Sequence, residues 1–204
     1  MLIIDNFIKD NNIIKNLKDE KIWKEIPKYN WWDGWWKTEP RNIMEELIKI
    51  IWKTLSPVEN KIAGFEYWSN IHSKQQKLDW HADKDEKLLI EKNELSSPRI
   101  GHIYYVTTEK LDGGYLELSN SKITEKIHHN KIERVKPIEN RLIMFDPSKA
   151  HRVTEIISGS RRAFLANAWE KKPHTFLNSE NVHYDSKGNL IDVEWKNKNL
   201  KFKV

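Results

Sequence analysis

The chain predicts an α+β fold in which helices come first and a double-stranded β-helix, a jelly roll of short strands, follows. Three observations predict it. Apolar residues repeat at three and four only in the N-terminal part. From Ala63 onward the texture changes to short alternating segments divided by polar turns. No internal repeat or low-complexity linker interrupts the 204 residues. The expectation is therefore one domain: an N-terminal helical part of about residues 1–59 packed on one sheet, a jelly-roll core of about 60–170, and a C-terminal extension of about 171–204.

Leu2 to Phe7 reads as a short strand and Lys9 to Lys24 as a helix. The clearest helix carries Met44, Leu47, Ile48, Ile51, Trp52 and Leu55 on one stripe, with Pro40 suited to its first turn and Ser56-Pro57 to its end. The strands expected next are Phe65–Ile71, Lys77–His81, Arg99–Thr107, Tyr115–Leu118, Ile132–Lys136, Arg141–Phe145, His151–Ile157 and Arg161–Trp169. Asp185 to Trp195 reads as a terminal hairpin around Lys187-Gly188.

Composition narrows the class of protein. There are no cysteines, so disulfides and thiolate zinc sites are excluded, which fits a reducing compartment. The opening Met1-Leu2-Ile3-Ile4-Asp5-Asn6 is too short and acidic for a secretion signal, and no apolar run approaches membrane-spanning length. A cytoplasmic protein with no membrane partner is expected. The net charge of +5 comes from lysines interleaved with acids rather than massed in a block, which gives little support to a nucleic-acid partner. Oligomeric state is not legible.

The chemistry lies in an ordered set of residues. His81 and Asp83 sit at the end of a strand-like stretch, where i and i+2 share a face. His151 follows a strand and a Pro-containing turn, and Arg161 comes ten residues later in Ser158-Gly159-Ser160-Arg161. Two imidazoles and one carboxylate can hold one face of a non-haem Fe(II) and leave positions open. An arginine beyond the distal histidine can grip a carboxylate with a two-pronged hydrogen bond. Among the eight histidines, the competing His183-Tyr184-Asp185 has no later histidine and runs into a turn. His128 and His129 lie in a polar stretch without a suitably spaced arginine, and His72, His102 and His174 read as surface or structural.

These residues resemble the Fe(II)- and 2-oxoglutarate-dependent oxygenases, in particular the prolyl-hydroxylase-like branch, over about residues 60 to 170. Ile103-Tyr104-Tyr105-Val106-Thr107 followed by Gly113-Gly114-Tyr115-Leu116 is similar to that branch's paired strands, and Ser158-Gly159-Ser160-Arg161-Arg162-Ala163 to its arginine strand. The resemblance implies that His81, Asp83 and His151 bind Fe(II). It further implies that Arg161 and Tyr105 hold the far carboxylate of 2-oxoglutarate and that Leu116 lines the same pocket. Arg162 competes with Arg161, because neighbours on a strand face opposite ways and a bulge before Trp169 would exchange them.

The implied reaction hydroxylates a C–H bond of a peptidyl residue or small molecule while O2 and 2-oxoglutarate become succinate and CO2. Asp83 argues against halogenating relatives, which replace that carboxylate with a small residue. The apolar run Ala163 to Trp169 lacks the further arginine that nucleic-acid demethylases tend to carry. An alternative from another class is a non-catalytic jelly-roll module binding carbohydrate or peptide. The cluster Trp31-Trp32-Asp33-Gly34-Trp35-Trp36 has two readings, a stacking platform or a pin between the helices and the barrel. The first predicts that Trp32 or Trp35 borders the metal cavity. Trp80, beside His81, is expected to face away from the metal.

Overall fold

A computed structural model describes residues 1–25, 29–55, 62–122, 131–177, 182–184 and 190–192. In chain order the elements are β1 (Leu2–Ile4), α1 (Asn11–Lys18), α2 (Glu20–Glu25), β2 (Asn30–Trp32), α3 (Ile43–Leu55), β3 (Gly64–Ser73), β4 (Leu78–His81), α4 (Glu86–Lys92), β5 (Ile100–Gly113), β6 (Leu116–Lys122), β7 (Ile132–Val135), β8 (Arg141–Phe145), β9 (Lys149–Val153), β10 (Ile156–Trp169), a 3₁₀ turn at His174–Phe176, β11 (Val182–Tyr184) and β12 (Leu190–Asp192). The strands form a six-stranded sheet in the order β1-β8-β5-β10-β3-β2 and a four-stranded sheet in the order β4-β9-β6-β7. All their pairings are antiparallel, as a jelly roll requires. No helix among the described residues is long and apolar enough to cross a membrane.

The large sheet separates two cores. On its outer face Phe65, Tyr67, Tyr104, Val106, Phe164 and Ala166 meet the α3 stripe of Met44, Leu47, Ile48, Ile51 and Trp52. On its inner face Ile103, Tyr105, Ile143 and Ala163 meet Leu116, Leu118 and Val135 of the small sheet. Strand alternation supplies both faces. Residues 161, 163, 165 and 167 of β10 point inward and 164, 166 and 168 outward. A buried polar knot fastens α3 to β3: Tyr67 Oη donates to Glu45 Oε1 at 2.8 Å, while the Arg41 fork clasps the same carboxylate.

Several local expectations are corrected. The helix expected over Lys9–Lys24 breaks at Asp19, whose backbone is extended and whose carboxylate accepts from Lys21 N, so it starts a second helix. Pro40 lies before α3 rather than in its first turn. Asn42 caps that helix instead, its Oδ1 accepting from Met44 N and Glu45 N. The strand expected over His151–Ile157 is two strands, because the chain crosses from the small sheet to the large one at Thr154-Glu155. There Thr154 N donates to Tyr115 O and Ile156 N to Gln76 O. Helix α4 has no buried residue and so no apolar stripe to reveal it. Its Asp85 cap and left-handed Asn93 stop define it. Of the terminal hairpin, β11 and β12 pair with Val182 opposite Asp192; residues 185–189 and 193–195 lie outside the described residues.

The tryptophan cluster packs against the outer core. Trp32 is opposite Phe65, so both rings lie on the α3 side of the sheet, and Trp35 stacks on Phe65 at 6.2 Å. The Trp36 ring lies across Gly34, whose φ of +90° needs glycine. Neither Trp32 nor Trp35 borders the inner face, so the substrate-platform reading of those two rings is overturned by register. Trp31 faces the other way and packs at a tilt against Phe176, ring centroids 5.6 Å apart.

Candidate metal centre and co-substrate pocket

His81 and His151 are direct cross-strand partners at the meeting of β4 and β9, with ring centroids 4.2 Å apart. Asp83 lies just beyond β4 in a segment fixed by Asp83 N donating to Pro147 O at 2.9 Å. Its Oδ1 is 3.7 Å from His81 Nε2 and 3.6 Å from His151 Nε2. The three ligand atoms all lie within 4.8 Å of one another.

Each imidazole is oriented by its own chain. His81 Nδ1 is 2.8 Å from Asp79 O and His151 Nδ1 is 2.9 Å from Lys149 O. A carbonyl only accepts, so both Nδ1 atoms carry the proton and both Nε2 lone pairs face Asp83. Burial pushes the His81 pKa down, with His151 adding to the effect, which favours the neutral ligand form. Phe145 packs edge-on against the His151 ring. Trp80 lies beneath the Arg152 guanidinium, on the strand face opposite His81 and His151, as alternation predicts.

Arg161 is 3% exposed and projects from the inner face of β10 over the Tyr105 ring, 5.3 Å from its centroid. Arg162 projects outward instead, over Trp23 and toward Lys18 O and Glu20. The bulge that separates the two cases sits on β5: Arg162 pairs with Thr107 and Ala163 with Tyr105, while the β10–β3 register runs unbroken from Ser160 to Trp169. Tyr105 and Leu116 are fully buried in the inner core. Gly113 and Gly114 take φ of +84° and +65°, turning the chain from β5 into β6, and a Cβ at Gly113 would sit 2.2 Å from Glu155 O.

Two polar atoms here have no protein partner although buried, Tyr105 Oη and Arg161 Nε. Buried polar groups are rarely left so. A donor hydroxyl beside a guanidinium is the chemistry a carboxylate requires. The residues present therefore fit an N,N,O-bound divalent metal and an anionic co-substrate.

Other residues at the site were not legible beforehand. His72, read as surface or structural, lies opposite Arg161, its Nδ1 3.3 Å from Arg161 Nη2. Burial and Arg161 push its pKa down to about 4. Asn167 Nδ2 donates to Asp83 Oδ2 at 3.0 Å, and Trp169 Nε1 donates to Glu66 Oε2 at 3.1 Å. Burial, with the Asp83 charge, pushes Glu66 up to about 8. The available signal was the inner face of β3, where Glu66, Asn70 and His72 are polar while Phe65 and Tyr67 on the other face are core. His102 and His174 stay apart from the site. His102 is buried on the outer face against Ala166 O, and His174 sits near Glu91. His128, His129 and Asp185 lie outside the described residues.

A jelly roll with a two-histidine, one-carboxylate centre at one mouth defines a class of non-haem iron oxygenases. The model of the 2OG-Fe(II) oxygenase superfamily matches residues 66–169, about half of the chain, and the chain belongs to that superfamily. Fe(II) and 2-oxoglutarate are accordingly its cofactor and co-substrate. The fold is similar to the viral collagen prolyl hydroxylase of Paramecium bursaria Chlorella virus-1, solved as a 2-oxoglutarate complex, at 15% identity over 84% of this chain and 96% of that one, TM-score 0.55. It is also similar to a Pseudomonas putida prolyl-4-hydroxylase (14% identity, 84% and 88%, TM-score 0.53). A third similar structure is the Trichoplax adhaerens prolyl hydroxylase in complex with a hypoxia-inducible-factor peptide fragment (16% identity, 88% and 87%, TM-score 0.53). No curated protein matches the chain in sequence.

Proposed function

We propose that this chain is a hydroxylase in which His81, Asp83 and His151 hold Fe(II) and Arg161 and Tyr105 hold the far carboxylate of 2-oxoglutarate. The supporting observation is the coincidence of two features inside one jelly roll. Three ligand atoms converge with both Nδ1 atoms already tied to carbonyls, and the buried Arg161 Nε and Tyr105 Oη lack protein partners. When bound, Fe(II) with 2-oxoglutarate supplies the O2 chemistry: one oxygen atom goes into a substrate C–H bond, giving the alcohol, and the other into succinate, with release of CO2.

This chain's residues bind, orient and exclude. Arg161 supplies the positive charge that offsets the cost of burying a carboxylate, and Tyr105 Oη donates the neutral hydrogen bond beside it. Leu116 forms an apolar wall that keeps water from that pocket. The two imidazoles are fixed in one tautomer by backbone carbonyls, and Asp83 supplies the carboxylate ligand.

The substrate is a peptidyl residue or a small molecule. Three of the similar structures are prolyl hydroxylases by name, and one of them was solved with a peptide fragment, which supports the peptidyl choice. Iron-loaded protein given 2-oxoglutarate and a peptide and metabolite mixture should form succinate and add about 16 Da to one component, the mass of one oxygen. Asp83→Ala should do neither. An iron-loaded parent that forms no succinate with any substrate would replace this reading with that of a non-catalytic jelly-roll binding module.

A further inference from the structure

Asp83 supplies only Oδ1 to the converging set; its Oδ2 is turned toward the large sheet. What it meets there is Asn167, 3% exposed on the inner face of β10. Across the β10–β3 pair Asn167 and Glu66 are direct partners on the inner face of the sheet. Glu66 is held in turn by Trp169 Nε1. Asp83 Oδ2 is a carboxylate oxygen, so the Asn167 NH2 group faces it and the Asn167 carbonyl faces away from it. A planar amide with two N–H bonds can bridge two acceptors at once, which neither an aspartate nor an aliphatic side chain can do.

We propose that Asn167 and Glu66 are positioning residues of the metal centre. Asn167 fixes the rotation of the Asp83 carboxylate so that Oδ1 faces the two Nε2 atoms, and Glu66, anchored by Trp169, fixes the orientation of Asn167. Neither residue touches the metal. This inference rests on the reading of His81, Asp83 and His151 as the ligand set. Hydrogen-bond partners of metal ligands commonly contribute about 10- to 100-fold to metal affinity.

The test is anaerobic Co(II) binding by titration calorimetry, together with the visible absorption of the Co(II)-loaded protein, without 2-oxoglutarate or substrate. The parent should bind one Co(II) and Asp83→Ala should lose it. Asn167→Ala should weaken binding by about 10- to 100-fold and alter the Co(II) spectrum. Glu66→Leu should weaken binding about tenfold, whereas Glu66→Gln, which keeps an acceptor oxygen, should stay near the parent. The Glu66 pair alone decides the matter if Asn167→Ala does not fold. Parent binding that survives both Asn167→Ala and Glu66→Leu unchanged overturns the proposal while leaving the ligand set intact. Equal losses in Glu66→Leu and Glu66→Gln also overturn it. A parent that binds no Co(II) overturns the ligand set itself, and this proposal with it.

Discussion

Tyr105→Phe separates the demands of folding from those of binding. The Tyr105 hydroxyl is fully buried without a partner, and the nearby Arg161 places its guanidinium over the ring rather than at the oxygen. Burial pushes the phenol pKa up, so the group stays a neutral donor throughout the working pH range. Leaving such a group unsatisfied costs about 1–3 kcal/mol. Removing the single oxygen should therefore stabilise the ligand-free protein by about 1 kcal/mol, allowing for the small void left behind. The same change deletes a hydrogen bond to a carboxylate, worth about 1.5–3 kcal/mol, or about 10- to 100-fold in Kd. Urea unfolding of the metal-free protein gives the first quantity. Anaerobic 2-oxoglutarate titration of the Ni(II)-loaded protein gives the second. A variant that is less stable and binds 2-oxoglutarate as tightly as the parent refutes the argument, because the hydroxyl would then serve the fold and not the ligand.

Arg161→Ala should weaken 2-oxoglutarate by about 2–4 kcal/mol, since it removes a charge partner from a buried carboxylate. Arg162→Ala should leave that affinity unchanged, and the reverse pattern in the same titration would refute the inward placement of Arg161. Trp32→Ala should cost about 3–5 kcal/mol of stability because its ring is 1% exposed in the outer core, whereas Trp36→Ala, at a residue 43% exposed, should cost about 1 kcal/mol; equal melting temperatures would contradict this packing. His102, buried against Ala166 O, has its pKa pushed down to about 4 by burial from an ordinary 6.5. Between those values the unfolded chain holds a proton that the folded chain does not, so His102 contributes stability that is complete above pH 6.5 and is lost as pH falls toward 4. His102→Leu should flatten the acid side of the stability curve by on the order of 3 kcal/mol, and an unchanged slope would show that His102 protonates without unfolding.

The helix α3 and most strands could be read from the sequence because each repeats its own period against a core: Met44 to Leu55 at 3.6, Phe65 and Tyr67 at two. The convergence of His81, Asp83 and His151 was legible for a related reason, since they are residue types that chemistry restricts and, with Arg161, their order along the chain matches the family. Elements without periodic apolar residues were hidden. Helix α4 buries nothing, and β2 is a three-residue edge strand defined only by its pairing with β3. The face chosen by Trp32 depended on which residue of β3 it pairs with, and register across a long loop leaves no mark in local sequence. Asn167 was hidden for the same reason, and Glu66 and His72 showed only as polar residues on one face of β3. Each acts through a neighbour brought from a distant strand, and a lone Asn, Glu or His has no spacing to announce it.

The most direct measurement is an anaerobic crystal structure of the protein with Fe(II) and 2-oxoglutarate. One metal should be bound by His81 Nε2, His151 Nε2 and Asp83 Oδ1 at about 2.0–2.2 Å. The far carboxylate of 2-oxoglutarate should lie within hydrogen-bond reach of Arg161 and Tyr105 Oη. Iron bound through other side chains, or a 2-oxoglutarate whose far carboxylate meets neither residue, would contradict the proposed site.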